Sequence, residues 1–592
     1  MIFSMRPLNI SPSQALRYYY ELDPIFGDNS QWHGSLAQEY GLTDSSCRKE
    51  DFINLISGND LNGNQVIKDG ISKEKKPHHR AAVDIPFSCP KSVSIMALHM
   101  GDKRLIRAHD DAVKATVNYI EKNYIFIRRT SAGITSVRKT GQSICSLFRH
   151  SLSRENDPQL HTHALIINQT VSAKGHRAVW FDKIFSDQVF INNIYQNELA
   201  KQIKNFGYHI NVQNESRWEI EGVKRSWIKN FSKRSKAIDP VAKKIKEERE
   251  YPDAHESKIR TIATLKSRPK KDSSISEKEL KKKWENEVSK KLIETSIVQH
   301  EYQPESKKKF TPEDYLRLAY FSLHETECLF TKKQILENSL KLSIGDFTIT
   351  DFEKALSKLQ LSDEIVPLSK HINNKGLQTH YYTSKEMKKT EQAIVDTLRF
   401  GENFSTGLLP KNVIKSVIRK EHSFLTDDQK KALQYILSSK QQFMLIQGDA
   451  GTGKSYLFKS FKSILESQNK ELHIQGLGFT GKAAQELQLQ SGISSKTIAS
   501  FLNETKAPAH DKSILIIDEA SMLGSLNANE ILKKAKRTNT RVIICGDCRQ
   551  LQAISAGRFF KDLQELNTPY VEMNQVLRQK NELMLQVVNL VK

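Results

Sequence analysis

The spacing of apolar residues differs along the chain. In the N-terminal part, short β-rich runs at 144–148, 164–167 and 178–181 alternate with helical stretches such as 104–122. Strands bury every second side chain, whereas helices bury every third or fourth. The mixture therefore predicts one α+β domain, which we place at residues 1–223.

Residues 224–310 are rich in Lys, Arg, Glu and Ser and poor in aromatic residues. This composition predicts a basic charged helical linker, or a helical tail of the first domain. Such a run is more often a solvated helix face than a binding site, although it could follow a phosphate backbone. Residues 311–420 show helical periodicity with a β-like run at 379–383, which predicts a small helical or winged-helix module.

From residue 421 onward, short apolar runs alternate with helical segments. The runs at 443–446, 514–517 and 542–544 are continuously apolar, which is typical of a parallel sheet covered by helices on both faces. We predict an α/β nucleotide-binding domain at residues 421–592.

The charge balance indicates a class of partner. Lys and Arg number 90 against 68 Asp and Glu, a formal net charge of +22, which favours nucleic acid. The plainer alternative is that the charge only keeps a large protein soluble. Six cysteines are too few for a disulfide framework, and no run of about 18 apolar residues occurs. We expect a cytoplasmic protein without an integral membrane segment.

A phosphate-binding loop follows the run 443–446. Its glycines would let backbone N–H groups approach phosphate, Lys454 would contact the β- and γ-oxygens, and Ser455 would offer a hydroxyl to Mg²⁺. The motif G-x-x-x-x-G-K-[ST] is formed by Gly448, Gly451, Thr452, Gly453, Lys454 and Ser455.

Two carboxylates, Asp518 and Glu519, follow the run 514–517. Beside bound phosphates, Asp518 would hold Mg²⁺ and Glu519 would activate water. Alone, such a pair is more often an ordinary acidic helix N-terminus. The phosphate loop upstream favours the functional interpretation.

With these motifs, the C-terminal region resembles RecD-like superfamily 1 helicases, which implies a RecA-like P-loop domain that binds ATP with Mg²⁺. Residues 480–484 look like a DNA-contacting motif. The sequence stops at Lys592 without the later motifs of a second motor domain, so we expect that domain to be incomplete or absent and this chain alone not to unwind DNA. Three further residues match motifs of this family. Gln429 lies in the motif that contacts adenine, Gln550 in the motif that couples the γ-phosphate to DNA, and Arg578 in the motif that supplies an arginine to the γ-phosphate.

Three histidines lie on two predicted strands. His161 and His163 alternate on one β-like run and so share a face, which His150 could reach across a hairpin. Three imidazoles with open positions would form a metal site. A His-x-His pair by itself is more often satisfied or solvent-facing.

Tyr18, Tyr19 and Tyr20 follow a predicted helical stretch at 13–17. A phenol attacks a phosphodiester once a metal or base assists its ionisation, because its ordinary pKa is about 10. Clustered tyrosines more commonly pack at a domain edge or stack on bases.

Together, the tyrosines and histidines resemble the N-terminal domain of MobF-type conjugative relaxase-helicases, which is built on an antiparallel sheet. The resemblance implies that Tyr18, with Tyr19 next, attacks the scissile phosphate at an origin of transfer and leaves a 5′-phosphotyrosyl link. Asp84 matches the family's acidic residue, which would orient a histidine or help deprotonate tyrosine; a solvent-facing acid is the alternative. The implied metal is Mg²⁺ or Mn²⁺ on His150, His161 and His163, although Zn²⁺ or Ni²⁺ would suit imidazoles equally.

The same resemblance implies a metal-dependent DNA nickase coupled to an ATP-binding 5′–3′ helicase motor for plasmid mobilisation. The implied partners are single-stranded and origin-of-transfer DNA, relaxosome accessory proteins and a type IV coupling protein. The implied location is the bacterial cytoplasm, with export through a type IV secretion system. Members commonly carry a second tyrosine pair, whereas Ile25 and Phe26 occupy that region here. The alternatives are an ATP-dependent helicase or repair motor whose N-terminus only binds DNA, and a catalytically silent DNA-binding remnant.

Overall fold

The structure is a computed structural model. It describes residues 5–8, 12–20, 23, 25–26, 29–43, 45–67, 81–131, 134–214, 217–248, 256–267, 275–294, 310–372, 378–449, 451–470, 472–504, 513–566 and 568–575. The chain forms two compact units. The first comprises Met1–Ala319, Thr331–Lys358 and Ser369–His380, and the second comprises Tyr320–Phe330, Leu359–Leu368 and Tyr381–Lys592. Within the described ranges, no helix combines the length and the apolar character needed to cross a bilayer.

The strands of the described residues, in chain order, are β1 Arg6–Leu8, β2 Ser30–His33, β3 Ala82–Ser88, β4 Phe126–Ser131, β5 Ile134–Lys139, β6 Cys145–Leu152, β7 Pro158–Ile167, β8 Thr170–Ser172, β9 Gly175–Arg177, β10 Ile210–Asn214, β11 Arg217–Ile220, β12 Phe330–Thr331, β13 Ile365–Ile372, β14 Gln378–Ser384, β15 Phe443–Gly448, β16 His473–Gly478, β17 Ser495–Thr497, β18 Ser513–Ile517, β19 Arg541–Gly546 and β20 Tyr570–Met573.

The α-helices are α1 Pro12–Tyr19, α2 Ser35–Glu39, α3 Lys49–Ile56, α4 Lys91–Ser94, α5 Lys103–Tyr124, α6 Asp182–Ser186, α7 Gln188–Asn205, α8 Arg225–Asn230, α9 Lys233–Glu247, α10 Glu256–Lys266, α11 Glu277–Glu287, α12 Lys290–Glu294, α13 Pro312–Leu323, α14 Lys332–Leu342, α15 Ile349–Leu361, α16 Lys385–Phe400, α17 Lys411–Glu421, α18 Asp427–Ser438, α19 Lys454–Ser467, α20 Gly481–Ser491, α21 Ile498–Asn503, α22 Ser525–Arg537 and α23 Phe559–Glu565. A π-helix spans Ile95–His99 and a 3₁₀-helix spans Ala520–Met522.

The first unit is built on a five-stranded antiparallel sheet in the order β1-β3-β7-β6-β2. Alternate residues of β7 enter two different apolar cores, as period two requires. Ala164 and Ile166 pack in a core that includes residues of α5 and α7, whereas Leu165 and Ile167 pack in a core with residues of α1, α2 and α3. Both faces of the sheet are therefore covered.

The charged segment forms helices that bury several of its large apolar residues. Trp227, Phe231, Leu280 and Trp284 all belong to the larger core of the first unit. Helix α11 begins with a capping box in which Ser276 and Glu279 exchange hydrogen bonds. These contacts support a helical tail of the first domain rather than a separate linker, while the boundaries at 223, 310 and 420 stay predictions.

Two local predictions were wrong. The strand expected at 178–181 is absent, because the N–H of Val179 donates to Asn168 Oδ1 at 2.8 Å and that of Trp180 to the carbonyl of Phe126 at 2.7 Å. These bonds use the donors that a strand ladder would need. In addition, Tyr18 and Tyr19 do not follow the first helix but form the last turn of α1.

The second unit contains a six-stranded parallel sheet in the order β17-β16-β18-β19-β15-β20. Strands β15, β18 and β19 are buried along their whole length, as their continuous apolar runs predict. The predicted fold class is confirmed: an α+β part with an antiparallel sheet precedes an α/β P-loop part. A small sheet in the order β12-β14-β13 contains the β-like run predicted at 379–383.

We expect Gly34→Ala to destabilise the first unit more than Gly41→Ala. Both glycines have a positive φ, +110° and +68°, where a side chain is disfavoured, and the ψ of 158° at Gly34 makes its backbone the costlier of the two for alanine. A Cβ at Gly34 would lie 2.4 Å from the carbonyl oxygen of Ser143, whereas nothing lies within 4 Å at Gly41. Overpacking adds about 2 kcal/mol, which amide hydrogen exchange in β2 and β6 measures. Equal losses would show that the contact with Ser143 relaxes freely.

Candidate active site and nucleotide site

The hairpin of β6 and β7 brings the three histidines to one face of the sheet. His150 lies opposite His161, and on the neighbouring strand Pro86 lies opposite His163. Paired residues, and residues two apart, share a face. Asp84, two residues from Pro86, is therefore on the face of the three histidines.

The imidazole rings form a triangle. Their centres are 5.5 Å apart for His150 and His161, 5.7 Å for His150 and His163, and 5.4 Å for His161 and His163. Nitrogens about 2.1 Å from one shared ion imply ring centres roughly 5 Å apart, so this donor set is of the right size. As the side chains stand, no group of three or more His, Cys, Asp or Glu residues within the described ranges is arranged to hold a metal ion.

Two of the imidazoles are oriented by hydrogen bonds at Nδ1. His161 Nδ1 lies 2.9 Å from the carbonyl oxygen of Gln159, and His163 Nδ1 lies 2.9 Å from Asp84 Oδ1. A proton on Nδ1 leaves the lone pair on Nε2, and this orientation by a carbonyl or carboxylate is usual for metal-binding histidines. The chemistry of the set fits a divalent cation bound through Nε2.

The three tyrosines have different environments. Tyr19 is 3% exposed, stacks on Phe148 and donates its hydroxyl to Asp84 Oδ2 at 3.0 Å. The hydroxyl of Tyr20 donates to the carbonyl of Cys47 at 2.9 Å. Tyr18 is half-buried, and its ring centre is 5.8 Å from that of His163. Of the three, Tyr18 combines proximity to the histidines with partial exposure.

Asp84 contacts a histidine and a tyrosine, the two kinds of residue that the family resemblance implies for it. It is 7% exposed, so it is not a solvent-facing acid. Its tyrosine partner is Tyr19 rather than Tyr18. This contact joins residues 65 positions apart, and the sequence offered no signal for it.

Sequence reasoning missed a polar cluster on the opposite face of β7. His109 Nε2 lies 2.7 Å from the Thr162 hydroxyl, and His109 Nδ1 lies 2.8 Å from the Tyr195 hydroxyl and 3.3 Å from Cys89 Sγ. Burial lowers the pKa of His109 to about 3. Because Thr162 stands between His161 and His163, it must face away from them, and this polar residue on the apolar face was the available signal.

The phosphate loop in the second unit has the conformation that its sequence requires. Gly451 and Gly453 both have φ +79°, where a side chain is disfavoured. Helix α19 begins at Lys454, so its first N–H groups are available to an anion. Lys454 Nζ donates to the carbonyl of Gly448 at 3.1 Å, and the Thr452 hydroxyl donates to that of Asp449 at 2.8 Å. Ser455 lies in the first turn of α19.

Gln429 connects helix α18 to the phosphate loop. Its side-chain carbonyl accepts the N–H of Thr426 in a capping box, and its amide donates to the carbonyls of Thr452 and Gly453 at 3.0 and 3.3 Å. The side chain is 2% exposed. The contact of Gln429 with adenine stays a prediction, whereas its hydrogen bonds to the phosphate loop are observed.

The acidic residues lie at the ends of the neighbouring strands. Asp518 follows β18, and burial raises its pKa, as it does that of Glu519. Burial opposes the charge on Lys454, but Cys545, Asp518, Asp547 and Glu519 together outweigh it, so the pKa of Lys454 is raised. Gln550 donates to Asp547 Oδ2 at 2.8 Å. The predicted Arg578 lies outside the described residues.

The first unit thus carries a tyrosine, histidine and aspartate cluster on an antiparallel sheet, and the second carries a P-loop. Residues 9–291 match the family model of the TrwC relaxase, and residues 424–592 match that of an AAA domain. The chain therefore joins a TrwC relaxase domain to an AAA domain.

Several similar proteins are conjugation proteins. The multifunctional conjugation protein TraI of Escherichia coli is 35% identical over 243 residues, 38% of this chain and 13% of TraI. A probable conjugal transfer protein TraA of Sinorhizobium fredii is 28% identical over 206 residues, 34% of this chain and 18% of TraA. The metal-bound structure of conjugative relaxase TrwC with oriT DNA is 30% identical, with a TM-score of 0.45, over 50% of this chain and 100% of that one. The matched stretches span less than a fifth of these TraI and TraA relatives.

We expect the stability of the first unit to fall as the pH drops from about 6.5 towards about 3. The pKa of His109 is lowered from 6.5 to about 3 in the folded state, so in this range the unfolded chain binds a proton that the folded chain refuses. The contribution is fully present above pH 6.5 and is lost at about 1.4 kcal/mol per pH unit below it.

His109→Gln, which keeps hydrogen-bonding groups towards Thr162 and Tyr195, should flatten this dependence. Urea denaturation between pH 4 and 7, monitored through amide hydrogen exchange in β7, gives the slope of the free energy of unfolding against pH. An unchanged slope in the variant would assign the pH dependence to other groups.

Proposed function

We propose that this protein is a metal-dependent conjugative DNA relaxase, which nicks one strand at an origin of transfer and is coupled to an ATP-binding, helicase-like motor. The observation that carries the proposal is the face of the β6–β7 hairpin, where three imidazoles lie beside Tyr18 in a domain that matches the TrwC relaxase. This cluster favours the relaxase over a motor whose N-terminus only binds DNA.

The reaction assigned to this face is a transesterification. The Tyr18 oxygen forms a bond to phosphorus while the bond from phosphorus to the 3′-oxygen breaks, so the phosphodiester is conserved as a 5′-phosphotyrosine. The leaving 3′-oxygen takes a proton from water. We assign the phenolic proton to Asp84 by way of Tyr19, whose ring packs against that of Tyr18 and whose hydroxyl donates to Asp84 Oδ2: Tyr19 would pass its own proton to the carboxylate and accept the proton of Tyr18.

His150, His161 and His163 are the residues that would hold one divalent cation, which we propose is Mg²⁺ or Mn²⁺. When bound, the ion supplies positive charge to the non-bridging phosphate oxygens and favours the phenolate. Asp84 keeps His163 oriented towards it, and Gln159 does the same for His161. The similar TrwC relaxase has a metal-bound structure with oriT DNA.

The second unit is proposed to bind ATP with Mg²⁺. Lys454 would contact the β- and γ-phosphates, Ser455 and Asp518 the Mg²⁺, and Glu519 the attacking water. We also propose that Gln429 contacts the adenine, that Gln550 belongs to the motif for the γ-phosphate, and that Arg578 supplies an arginine to it. We further propose that the protein acts in the bacterial cytoplasm with relaxosome and coupling proteins and is exported through a type IV secretion system.

We expect Tyr18→Phe to abolish an SDS-resistant adduct that the full chain forms with single-stranded DNA of its own element's transfer region in Mg²⁺ or Mn²⁺. The phenylalanine keeps the ring and removes the attacking oxygen, so the rate should fall by at least about 100-fold. Gel analysis of 5′-labelled and 3′-labelled strands, without ATP, measures the adduct and its polarity.

Tyr20→Phe is the matched control, because the Tyr20 hydroxyl donates to the carbonyl of Cys47, and it should retain the adduct. Tyr19→Phe should slow the reaction without abolishing it. An adduct that survives Tyr18→Phe would refute the assignment of the nucleophile, and the absence of any adduct with nucleotide binding intact would favour the motor interpretation.

We expect Lys454→Met to weaken nucleotide binding while leaving the DNA adduct unchanged. The change removes the cation at the phosphate loop, which should cost about 10- to 100-fold in affinity. Binding of a fluorescent ATP analogue measures it. Lys459→Met, an exposed position on the same helix, should bind as the unchanged protein does. Equal affinities in both variants would contradict the phosphate role.

A further inference from the structure

Strands β6 and β7, which carry His150 and His161, are joined by the short turn 153–157. The turn has a fixed conformation, because the N–H of Ser153 donates to the carbonyl of Asp157 at 2.9 Å and the Ser153 hydroxyl oxygen accepts the N–H groups of Glu155 and Asp157. Asn156 adopts φ +58°, which asparagine tolerates better than most residues.

The turn is also held by helices of the charged segment. Asp157 is fully buried; its Oδ2 accepts the N–H of Lys233 at 2.8 Å, and its Oδ1 lies 3.2 Å from Lys233 Nζ. The indole N–H of Trp284 donates to the carbonyl of Asn156 at 2.9 Å. Arg154 lies in the chain between His150 and these contacts, and its backbone is therefore fixed in position.

Arg154 directs its guanidinium to the ring of Tyr18. The central carbon of the guanidinium is 5.7 Å from the Tyr18 ring centre, and the side chain is half-buried. In the ranges that the structure describes, no carboxylate pairs with Arg154. The other arginine next to His150 differs, because Arg149 pairs with Asp110, donates to Asn29 and lies 4.4 Å above the ring of Phe26.

We propose that Arg154 binds the scissile phosphate beside Tyr18 and stabilises the charge that develops on its oxygens during the nicking reaction. The inference rests on the proposed relaxase function and adds a catalytic residue to it. A guanidinium binds phosphate oxygens through two parallel N–H donors, an interaction much stronger than its contact with a phenol ring. A phosphate within reach of the Tyr18 oxygen would therefore draw Arg154 from the ring to the DNA.

The role of Arg154 is separable from general attraction to DNA. A contact made equally in the bound and the reacting complex changes affinity, whereas one that strengthens as charge develops changes the rate of the bound complex. Arg154 is fixed beside the attacking residue rather than along an open surface, and this favours the second behaviour.

The test compares Arg154→Gln and Arg154→Lys in the full chain with the single-stranded transfer-region DNA used for the Tyr18 experiment. Single-turnover adduct formation at saturating DNA gives the rate, and fluorescence anisotropy with a chelator gives the Kd. We expect Arg154→Gln to lower the rate by about 100- to 1,000-fold and to change the Kd by less than about threefold, with partial rescue by lysine. Arg104→Gln, which loses an arginine already paired with Asp102, is the control and should keep the rate.

Unchanged rates in Arg154→Gln would overturn the proposal and leave Arg154 as a packing residue. A weaker Kd with an unchanged rate would overturn it in favour of a plain backbone contact. Tyr18→Phe and the unchanged protein are measured in parallel: if Tyr18→Phe still forms the adduct, the assignment of Tyr18 as the nucleophile fails, and if the unchanged protein forms no adduct, the proposed function itself fails. If Tyr18→Phe forms none while Arg154→Gln reacts normally, only the role of Arg154 fails.

Discussion

The candidate active site of the first unit depends on the register of β7 against β6. The pairing of His150 with His161 places both imidazoles on one face, and the pairing of Phe148 with His163 places the third beside the aromatic packing of Tyr19. A slip by one residue would exchange every side chain of β7 between the two faces. The histidines would then enter the apolar core, and Thr162 would take their place.

Contacts on both faces of the sheet stabilise this register. On the site face, α1 brings Tyr19 to Asp84, and Asp84 in turn orients His163. On the other face, His109 contacts Thr162 in a buried polar cluster, in which an unpaired group would be costly. The site is therefore supported by strand pairing, a carboxylate and a buried network, and this suits residues that must stay within a few tenths of an ångström of their working positions.

The sequence predicted those features that local spacing determines. The alternation of His161 and His163 and the phosphate loop before α19 both depend on neighbours a few positions apart. The contacts of Tyr19 with Asp84 and of Lys233 with Asp157 join residues 65 and 76 positions apart, and no periodicity reports such pairs. The expected strand at 178–181 failed for the same reason, since the donors of Val179 and Trp180 are taken by the distant Asn168 and Phe126. Gln429 shows a further limit, because one side chain serves both a helix cap and the phosphate loop.

The region of Ile25 and Phe26 has a consequence for the working cycle. Asp23 accepts the N–H groups of both residues and the hydroxyl of Ser151, and the Phe26 ring packs under Arg149. This segment therefore packs against β6 on either side of His150, through Arg149 and Ser151, and offers no phenol. In the proposed mechanism Tyr18 therefore serves as the attacking group, while Tyr19 is buried and Tyr20 donates to the carbonyl of Cys47. On that proposal each protein molecule links to one DNA strand at a time, and Tyr18 is released only when a 3′-hydroxyl attacks the phosphotyrosine and rejoins the strand.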